Sequence, residues 1–336
     1  MHDGLLSALQ TVAEVSLVSS LKDDRLGFPN NKDLRVFIPD LHLISEARRT
    51  AGHFRFATNN EDLLVKVLGA LKKLKLEAAE GEQVNVTHLG DVLDLWREVP
   101  HVKHNEDTAA QITNDHAALM NALRDPDLDA TIFFGNHDFE LYKWASYAGL
   151  VRRVLFPEED PRVLVVHGDL FDWLEALPDL IQQIPVYLFA PNVESTPIEL
   201  GEMREKTMPD PNNTEHIKCA TPALVGALPG VEDRVPEEFN VQHAGTAGAY
   251  TLLFEQAVAT AKAINSEHDL KISTVVIGHT HHARIVRRTE ADKLFTLIDC
   301  GAWIEDCISE GKHQQPNSQV AALCGNEARI YQLRPR

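Results

Sequence analysis

The chain has 336 residues, of which 44% are apolar, so it is long enough to bury a sizeable core. Its 50 acidic and 32 basic residues give a formal net charge of -18, which argues against a broad surface for the phosphate backbone of nucleic acids. The first residues lack the basic segment of a signal peptide, and no run reaches the length of a membrane span, about 18 uncharged apolar residues. We therefore expect a cytoplasmic protein without a transmembrane segment.

Apolar periodicity predicts an alternation of helices and strands. Leucine and valine at helical spacing predict an amphipathic helix over residues 1–20, a second helix that begins near Asn60, and a third over 107–124. Short apolar runs predict strands at 34–38, 83–87, 130–134, 162–166, 272–277 and 294–298, followed by a hairpin that turns at Gly325 and Asn326. This rhythm predicts an α/β fold.

The rhythm stops between residues 170 and about 245, where prolines are frequent. The apolar start of this stretch predicts a partly helical cap, and a helix over 247–264 would return the chain to the sheet. We interpret 170–270 as a cap subdomain inserted into a single domain that spans 1–336.

Five of the predicted strands are followed by residues of the types that commonly bind metals. A strand places residues i and i+2 on the same face, and the carboxyl ends of strands in an open α/β sheet form a common site. We therefore expect these side chains to converge, although they are far apart in the sequence. They are Asp40 with His42, Asp91, Asn136 with His137, His167, and His279 with His281.

This mixture of Asp, Asn and His suits divalent transition metals better than magnesium, and it offers enough ligands for two ions. Two ions about 3.5 to 4 Å apart can clamp a phosphoryl group and activate a water as hydroxide for in-line attack on phosphorus. Asp91 follows Gly90 on a tight turn and is the natural bridging carboxylate. Asn136 could be a ligand that adds no negative charge where an anionic phosphate must approach.

The five motifs together resemble the blocks of the calcineurin-like metallophosphoesterase superfamily. They are Asp40-Leu41-His42, Gly90-Asp91 through Asp94, Gly135-Asn136-His137-Asp138, His167-Gly168-Asp169 and Gly278-His279-Thr280-His281. The resemblance implies a four-layered α/β/β/α sandwich and two divalent metal ions, which are Mn2+, Fe2+ or Zn2+. It implies a first metal held by Asp40, His42, Asp91 and His281, and a second held by Asp91, Asn136, His167 and His279.

The same resemblance implies that His137 is not a metal ligand. In the superfamily the histidine at this position stabilises the transition state and can protonate the leaving oxygen, and Asp138 would orient its ring. Asp94, Asp169 and Asp172 could be partners of the ligand histidines, although helix capping explains Asp94 nearly as well. His88 is interpreted as an ordinary core or surface residue.

A narrower resemblance concerns the UDP-2,3-diacylglucosamine pyrophosphatases of lipid A synthesis and their relatives. The residues 37–43, the insertion after His167 and the segment 299–307 are similar to that branch. This resemblance favours a phosphodiesterase or pyrophosphatase that acts on a small phosphorylated substrate.

Two other functions stay open, namely a phosphomonoesterase, which includes Ser/Thr protein phosphatases, and a non-catalytic interaction scaffold on the same fold. Arg48, Arg49 and Arg55 could bind substrate phosphate, but a solvated loop face is the favoured interpretation. The oligomeric state is not predicted.

Overall fold

The computed structural model describes residues 1–23, 32–47, 58–95, 106–135, 137–138, 141, 144, 146–147, 151–152, 154–155, 162–169, 247–268, 270–281, 283–290, 293–304 and 318–336. Residues 170–245 of the predicted cap lie outside these ranges, so the inserted subdomain stays a prediction.

Five helices occur in the described part of the chain. They are α1 (His2–Gln10), α2 (Thr58–Leu76), α3 (Glu106–Asp115), α4 (Ala117–Leu123) and α5 (Ala247–His268). The apolar stripe predicted for α2 is buried, and Lys73 and Lys75 lie in its last turn, where they complement the helix dipole. The helix predicted over 107–124 is divided in two at His116. Among these described residues, no helix combines the length and the apolar character needed to cross a membrane.

The strands form two mixed sheets. In chain order they are β1 (Glu14–Lys22), β2 (Asp33–Ile38), β3 (Gln83–His88), β4 (Thr131–Phe133), β5 (Val151–Arg152), β6 (Val154–Leu155), β7 (Val163–Val166), β8 (Thr274–Ile277), β9 (Ala283–Glu290), β10 (Lys293–Cys300), β11 (Gln319–Cys324) and β12 (Glu327–Arg334). The first sheet has seven strands in the order β1-β12-β11-β2-β3-β4-β5, and the second has five in the order β6-β7-β8-β10-β9. The fold is therefore α/β, as predicted.

The helix predicted over residues 1–20 is wrong in its second half. Helix α1 ends at Gln10, and the chain continues as β1, which pairs antiparallel with β12 from Glu14 to Lys22. Val15 and Leu17 alternate with polar residues until Val18, where the pairing has a register shift, but Val12, Val15 and Val18 also fall at helical intervals. The pairing with β12 decides between the two patterns, because a strand obtains its backbone hydrogen bonds from a neighbour that is distant in the sequence.

Apolar side chains of the two sheets share one cluster. Phe37 of β2 belongs to the same buried cluster as Val165 of β7 and Ile298 of β10. The alternate residues Leu34, Val36 and Ile38 of β2 belong to a second cluster, with α1, α2, α3 and α4, and a third cluster joins α5 to β7, β8 and β10. Strand β2 therefore contributes to two cores through its two faces.

The parallel strands bring the motif-bearing ends of both sheets together. Strands β2, β3 and β4 run parallel in the first sheet, and β7, β8 and β10 do so in the second. The segment after β2 meets the segment after β10 where the Trp303 amide donates to the Asp40 carbonyl over 2.9 Å. This contact places the carboxyl ends of the two sheets side by side.

Candidate metal centre

The site begins where the chain leaves the strands in an unusual backbone conformation. His42, Asp91, His279 and His281 have φ values of 52°, 51°, 68° and 61°, in the left-handed region that side chains with a Cβ rarely adopt. Each such residue costs about 1 kcal/mol, and strain of this kind persists only where surrounding contacts hold it. These four residues are among the predicted metal ligands.

One group of side chains is formed by Asp40, His42 and His281. Their ligand atoms lie within 4.8 Å of one another. His42 Nε2 is 3.0 Å from His281 Nε2, and His281 Nε2 is 3.3 Å from Asp40 Oδ2. Asp40 and His42 are buried, and His281 is partly buried. Two imidazole nitrogens and a carboxylate oxygen therefore face one small space.

A second group is formed by Asp91, His167 and His279, all of them buried. His167 Nε2 is 3.2 Å from Asp91 Oδ2, and the centres of the His167 and His279 rings are 5.1 Å apart. Asp91 Oδ2 also lies 3.5 Å from His42 Nε2. The Asp91 carboxylate therefore lies between the two groups.

Two glycines keep the space around the carboxylates open. A Cβ at Gly135 would lie 2.2 Å from Asp91 Oδ1 and 2.6 Å from His167 Nε2. A Cβ at Gly278 would lie 2.2 Å from Asp40 Oδ1. This Asp40 oxygen is buried and has no hydrogen-bond partner among the described residues. Since nitrogen and oxygen donors of this kind suit divalent transition metals, the buried groups fit a metal ion.

The buried carboxylates and imidazoles of the site shift one another's pKa values. Burial raises the pKa of Asp40; the His167 imidazole opposes this and the Asp91 carboxylate adds to it. Burial also acts to raise the pKa of Asp91, but the imidazoles of His167, His137 and His42 outweigh it and hold that pKa well below its usual range. Burial acts to lower the pKa of His167, yet the two carboxylates raise it to about 10. These buried carboxylates therefore require positive charge beside them.

Buried partners fix the orientation of two ligand rings. His42 Nδ1 is 3.1 Å from Asp94 Oδ2, and His167 Nδ1 is 2.9 Å from the carbonyl oxygen of Leu89. A bond at Nδ1 leaves Nε2 for the site, which is how metal-binding histidines are commonly oriented. Burial lowers the pKa of His42 to about 4, so its ring is neutral at pH 7 and its Nε2 can be a ligand atom.

The structure differs from the resemblance on the partner of His137. His137 Nδ1 is 2.8 Å from Asp94 Oδ1, so Asp94 holds the rings of both His42 and His137. Asp138 instead accepts the backbone N–H groups of Gly135, over 2.7 Å, and of Leu93, over 3.2 Å. Asp138 points at these amides because a short carboxylate next to a turn readily bonds to nearby backbone. In this structure Asp94 therefore makes the bond to His137 Nδ1 that was expected of Asp138, and a catalytic role of Asp138 stays a prediction.

His137 itself lies at the edge of the site. Its backbone N–H donates to Asp91 Oδ1 over 2.9 Å, and its side chain is 16% exposed. It forms a third group with His42 and Asp91, in which the ligand atoms again lie within 4.8 Å of one another. The structure thus brings together Asp40, His42, Asp91, His137, Asp138, His167, His279 and His281.

Other predicted site residues lie outside the described part of the chain. These are Asn136, the arginines Arg48, Arg49 and Arg55, and Asp172. Asp169 is described, and its charge is among those that raise the pKa of His167.

Sequence reasoning did not single out two contributors. The Leu89 carbonyl, which holds His167, has no signal in the side-chain pattern. His88 is fully buried, and its Nδ1 accepts the Gly90 N–H over 3.2 Å. In the sequence, only its position two residues before Gly90 indicates such a contact.

The chain matches none of the protein-family models with which it was compared, and the search of curated proteins returned no match. The assignment of the site therefore rests on the geometry and chemistry of the chain's own residues.

We predict that Gly135→Ala weakens metal binding strongly. The new Cβ would occupy the space between Asp91 and His167, and these side chains would have to move apart. Isothermal titration calorimetry with Mn2+ or Zn2+ measures the effect. We expect the metal affinity to fall by about 100-fold, which is the upper end of the range for changes next to metal ligands.

Gly69→Ala in α2 is the matched control, because a Cβ there has nothing within 4 Å. It should keep the wild-type metal affinity and stabilise the helix by up to about 1 kcal/mol. Equal metal binding by the two variants would contradict the assignment of the site.

Proposed function

We propose that this chain is a metallophosphoesterase of the calcineurin-like superfamily, which hydrolyses a phosphodiester or diphosphate bond in a small phosphorylated substrate. The observation that carries the proposal is the position of buried Asp91 between His42 and His167, which come from segments far apart in the sequence. Carboxylate and imidazole groups arranged on both sides of one shared carboxylate suit a two-metal site.

The packing supports the corresponding architecture. One apolar cluster contains side chains of both sheets, a second contains the first sheet with α1 to α4, and a third contains the second sheet with α5. We infer from these three clusters that the sheets stack face to face with helices outside them, as a four-layered α/β/β/α sandwich.

We assign two divalent ions, Mn2+, Fe2+ or Zn2+, to the two groups. Asp40, His42, Asp91 and His281 would hold the first, and Asp91, His167 and His279 would hold the second, with Asn136 as the further ligand that the resemblance implies. When bound, such ions polarise phosphoryl oxygens and make water a strong nucleophile at neutral pH. Their charge also offsets that of the buried carboxylates.

His137 and Asp94 supply proton transfer in this proposal. Asp94 lies 2.8 Å from His137 Nδ1, so its carboxylate fixes the orientation of the ring and leaves Nε2 for the substrate. A proton on Nε2 could then be donated to the oxygen of the departing group, which would otherwise leave as an alkoxide or phosphate anion. Because Asp94 also holds His42, the proton donor and a proposed metal ligand are kept in one arrangement.

Hydrolysis assays distinguish between the candidate substrate classes. The purified full chain, supplied in turn with Mn2+, Zn2+ or Fe2+, is assayed with bis(4-nitrophenyl) phosphate and with 4-nitrophenyl phosphate, and then with nucleotide sugars. We expect metal-dependent turnover with a preference for the diester or diphosphate. A preference for the monoester would favour a phosphomonoesterase, and metal binding without any turnover would favour the non-catalytic scaffold.

We predict that Asp91→Asn lowers kcat/KM by at least about 100-fold, because a neutral amide cannot be shared between two cations as a carboxylate can. Steady-state hydrolysis at saturating Mn2+ measures the change, and metal content is measured on the same samples. Asp129→Asn is the matched control, since Asp129 has a φ of 49° but an 84% exposed side chain that pairs with Lys75. Similar rates for the two variants would contradict the role of Asp91.

We predict that His137→Ala keeps its bound metal but loses about 100-fold to 10,000-fold in kcat, which is the contribution of a general acid. The loss should be larger for an alkyl leaving group than for 4-nitrophenolate, because a good leaving group departs without a proton. Comparison of kcat for methyl 4-nitrophenyl phosphate with kcat for dialkyl phosphates measures this dependence on the leaving group. An equal loss with every leaving group would assign His137 to binding instead of proton transfer.

A further inference from the structure

The connection between β8 and β9 passes over the carboxyl end of β10. Strand β10 pairs in parallel with β8 on one side and antiparallel with β9 on the other, and Asp299 is in register with Ile277 and with Arg284. The connection carries His279, Thr280 and His281. Asp299 is therefore placed at the end of the strand that this connection crosses.

The connection is a strained turn. The φ values of His279 and His281 are 68° and 61°, and the Thr280 N–H donates to the Gly278 carbonyl over 2.8 Å. Two successive departures into the left-handed region around one residue are unfavourable without outside contacts. One such contact is the His279 N–H, which donates to Asp40 Oδ2 over 2.7 Å.

A second outside contact is made by the middle residue of the turn. The Thr280 hydroxyl donates a short hydrogen bond to Asp299 Oδ2. Asp299 is fully buried, and the Arg284 Nε lies 3.9 Å from the same carboxylate oxygen. A buried carboxylate is costly unless it is paired and hydrogen-bonded, so the arginine and the hydroxyl together make this position tenable.

Asp299 belongs to none of the described groups of side chains that could hold a metal ion. Thr280 lies between two histidines that contribute to the two different groups, His281 to one and His279 to the other. A contact at Thr280 therefore acts on both groups at once. Each histidine also has one contact with Asp40 Oδ2, through the N–H of His279 and through Nε2 of His281.

We propose that Asp299, paired with Arg284, is a positioning residue that holds the Thr280 hydroxyl and thereby keeps His279 and His281 in their metal-binding arrangement. This inference rests on the proposed metal-dependent function. It concerns metal affinity, and neither Asp299 nor Thr280 takes part in the reaction itself.

The test compares Thr280→Val, which removes the hydroxyl and keeps the shape, with Thr280→Ser, which keeps the hydroxyl. Binding of Mn2+ and Zn2+ to the full chain is measured by calorimetry, and binding of Co2+ by its absorption spectrum. We expect the valine variant to bind metal at least about 10-fold more weakly and the serine variant to stay within about threefold of wild type. The unfolding temperature of the metal-free protein should stay within about 3 °C for both, since one partly exposed side chain changes.

Thr274→Val is the matched control. Thr274 is buried in β8, the strand that leads into the turn, and its hydroxyl has no hydrogen-bond partner among the described residues. The same substitution there should leave metal affinity unchanged. Asp299→Asn is a second variant that keeps the shape of the carboxylate, and we expect it to weaken metal binding by at least about threefold, because a neutral amide accepts more weakly.

The outcomes separate the inference from the function. If the wild-type chain binds no divalent metal, the proposed function fails and the inference fails with it. If the wild type binds metal and Thr280→Val binds it equally well, the inference alone is overturned. An equal loss in the valine and serine variants, or a loss matched by lower stability of the metal-free protein, also overturns it, because both results would assign Thr280 to packing.

Discussion

The structure depends on a carboxylate that is shared by two imidazoles in the interior of the protein. Asp91 lies 3.5 Å from His42 and 3.2 Å from His167, and it is almost fully buried. A charge in this position is tolerated only where positive charge and hydrogen bonds surround it. The chain meets this requirement with the His167 imidazole, whose pKa the neighbouring carboxylates raise to about 10, and with the backbone N–H of His137. The need to satisfy one buried anion thus explains why several segments must meet here.

The backbone supplies much of the connection between these segments. The amides of Leu41 and His42 both donate to the Asp91 carbonyl, over 3.1 and 2.8 Å, and the Gly278 amide donates to the His167 carbonyl over 2.9 Å. These bonds satisfy polar groups where the chain leaves the sheets, and they also hold residues in the left-handed region. Side chains on such a scaffold are already positioned before any ligand binds, which is the arrangement that tight binding favours.

Asp94 and Asp138 show how the tertiary structure separates residues of the same type. Asp94 follows β3 and Asp138 follows β4, and both aspartates are fully buried. Asp94 bonds to two imidazoles, whereas Asp138 bonds to two backbone amides. Burial and the nearby Asp91 raise the pKa of Asp138 well above its usual range, and the two amide donors only partly offset this effect. Proximity to His137 in the sequence was therefore a poor guide to which aspartate holds its ring.

The sequence by itself determined the α/β class, the apolar stripe of α2, the strands that precede the motifs, and the candidate residues at five strand ends, because hydrophobic periodicity and residue type are local properties. Strand β1 was missed because its conformation depends on pairing with β12, more than 300 residues later in the chain. The tertiary structure alone decided that Asp94 holds His137, that the Leu89 carbonyl orients His167, and that Asp299 lies beneath Thr280. These contacts join segments far apart in the sequence, and their geometry arises only when the two sheets bring their carboxyl ends together.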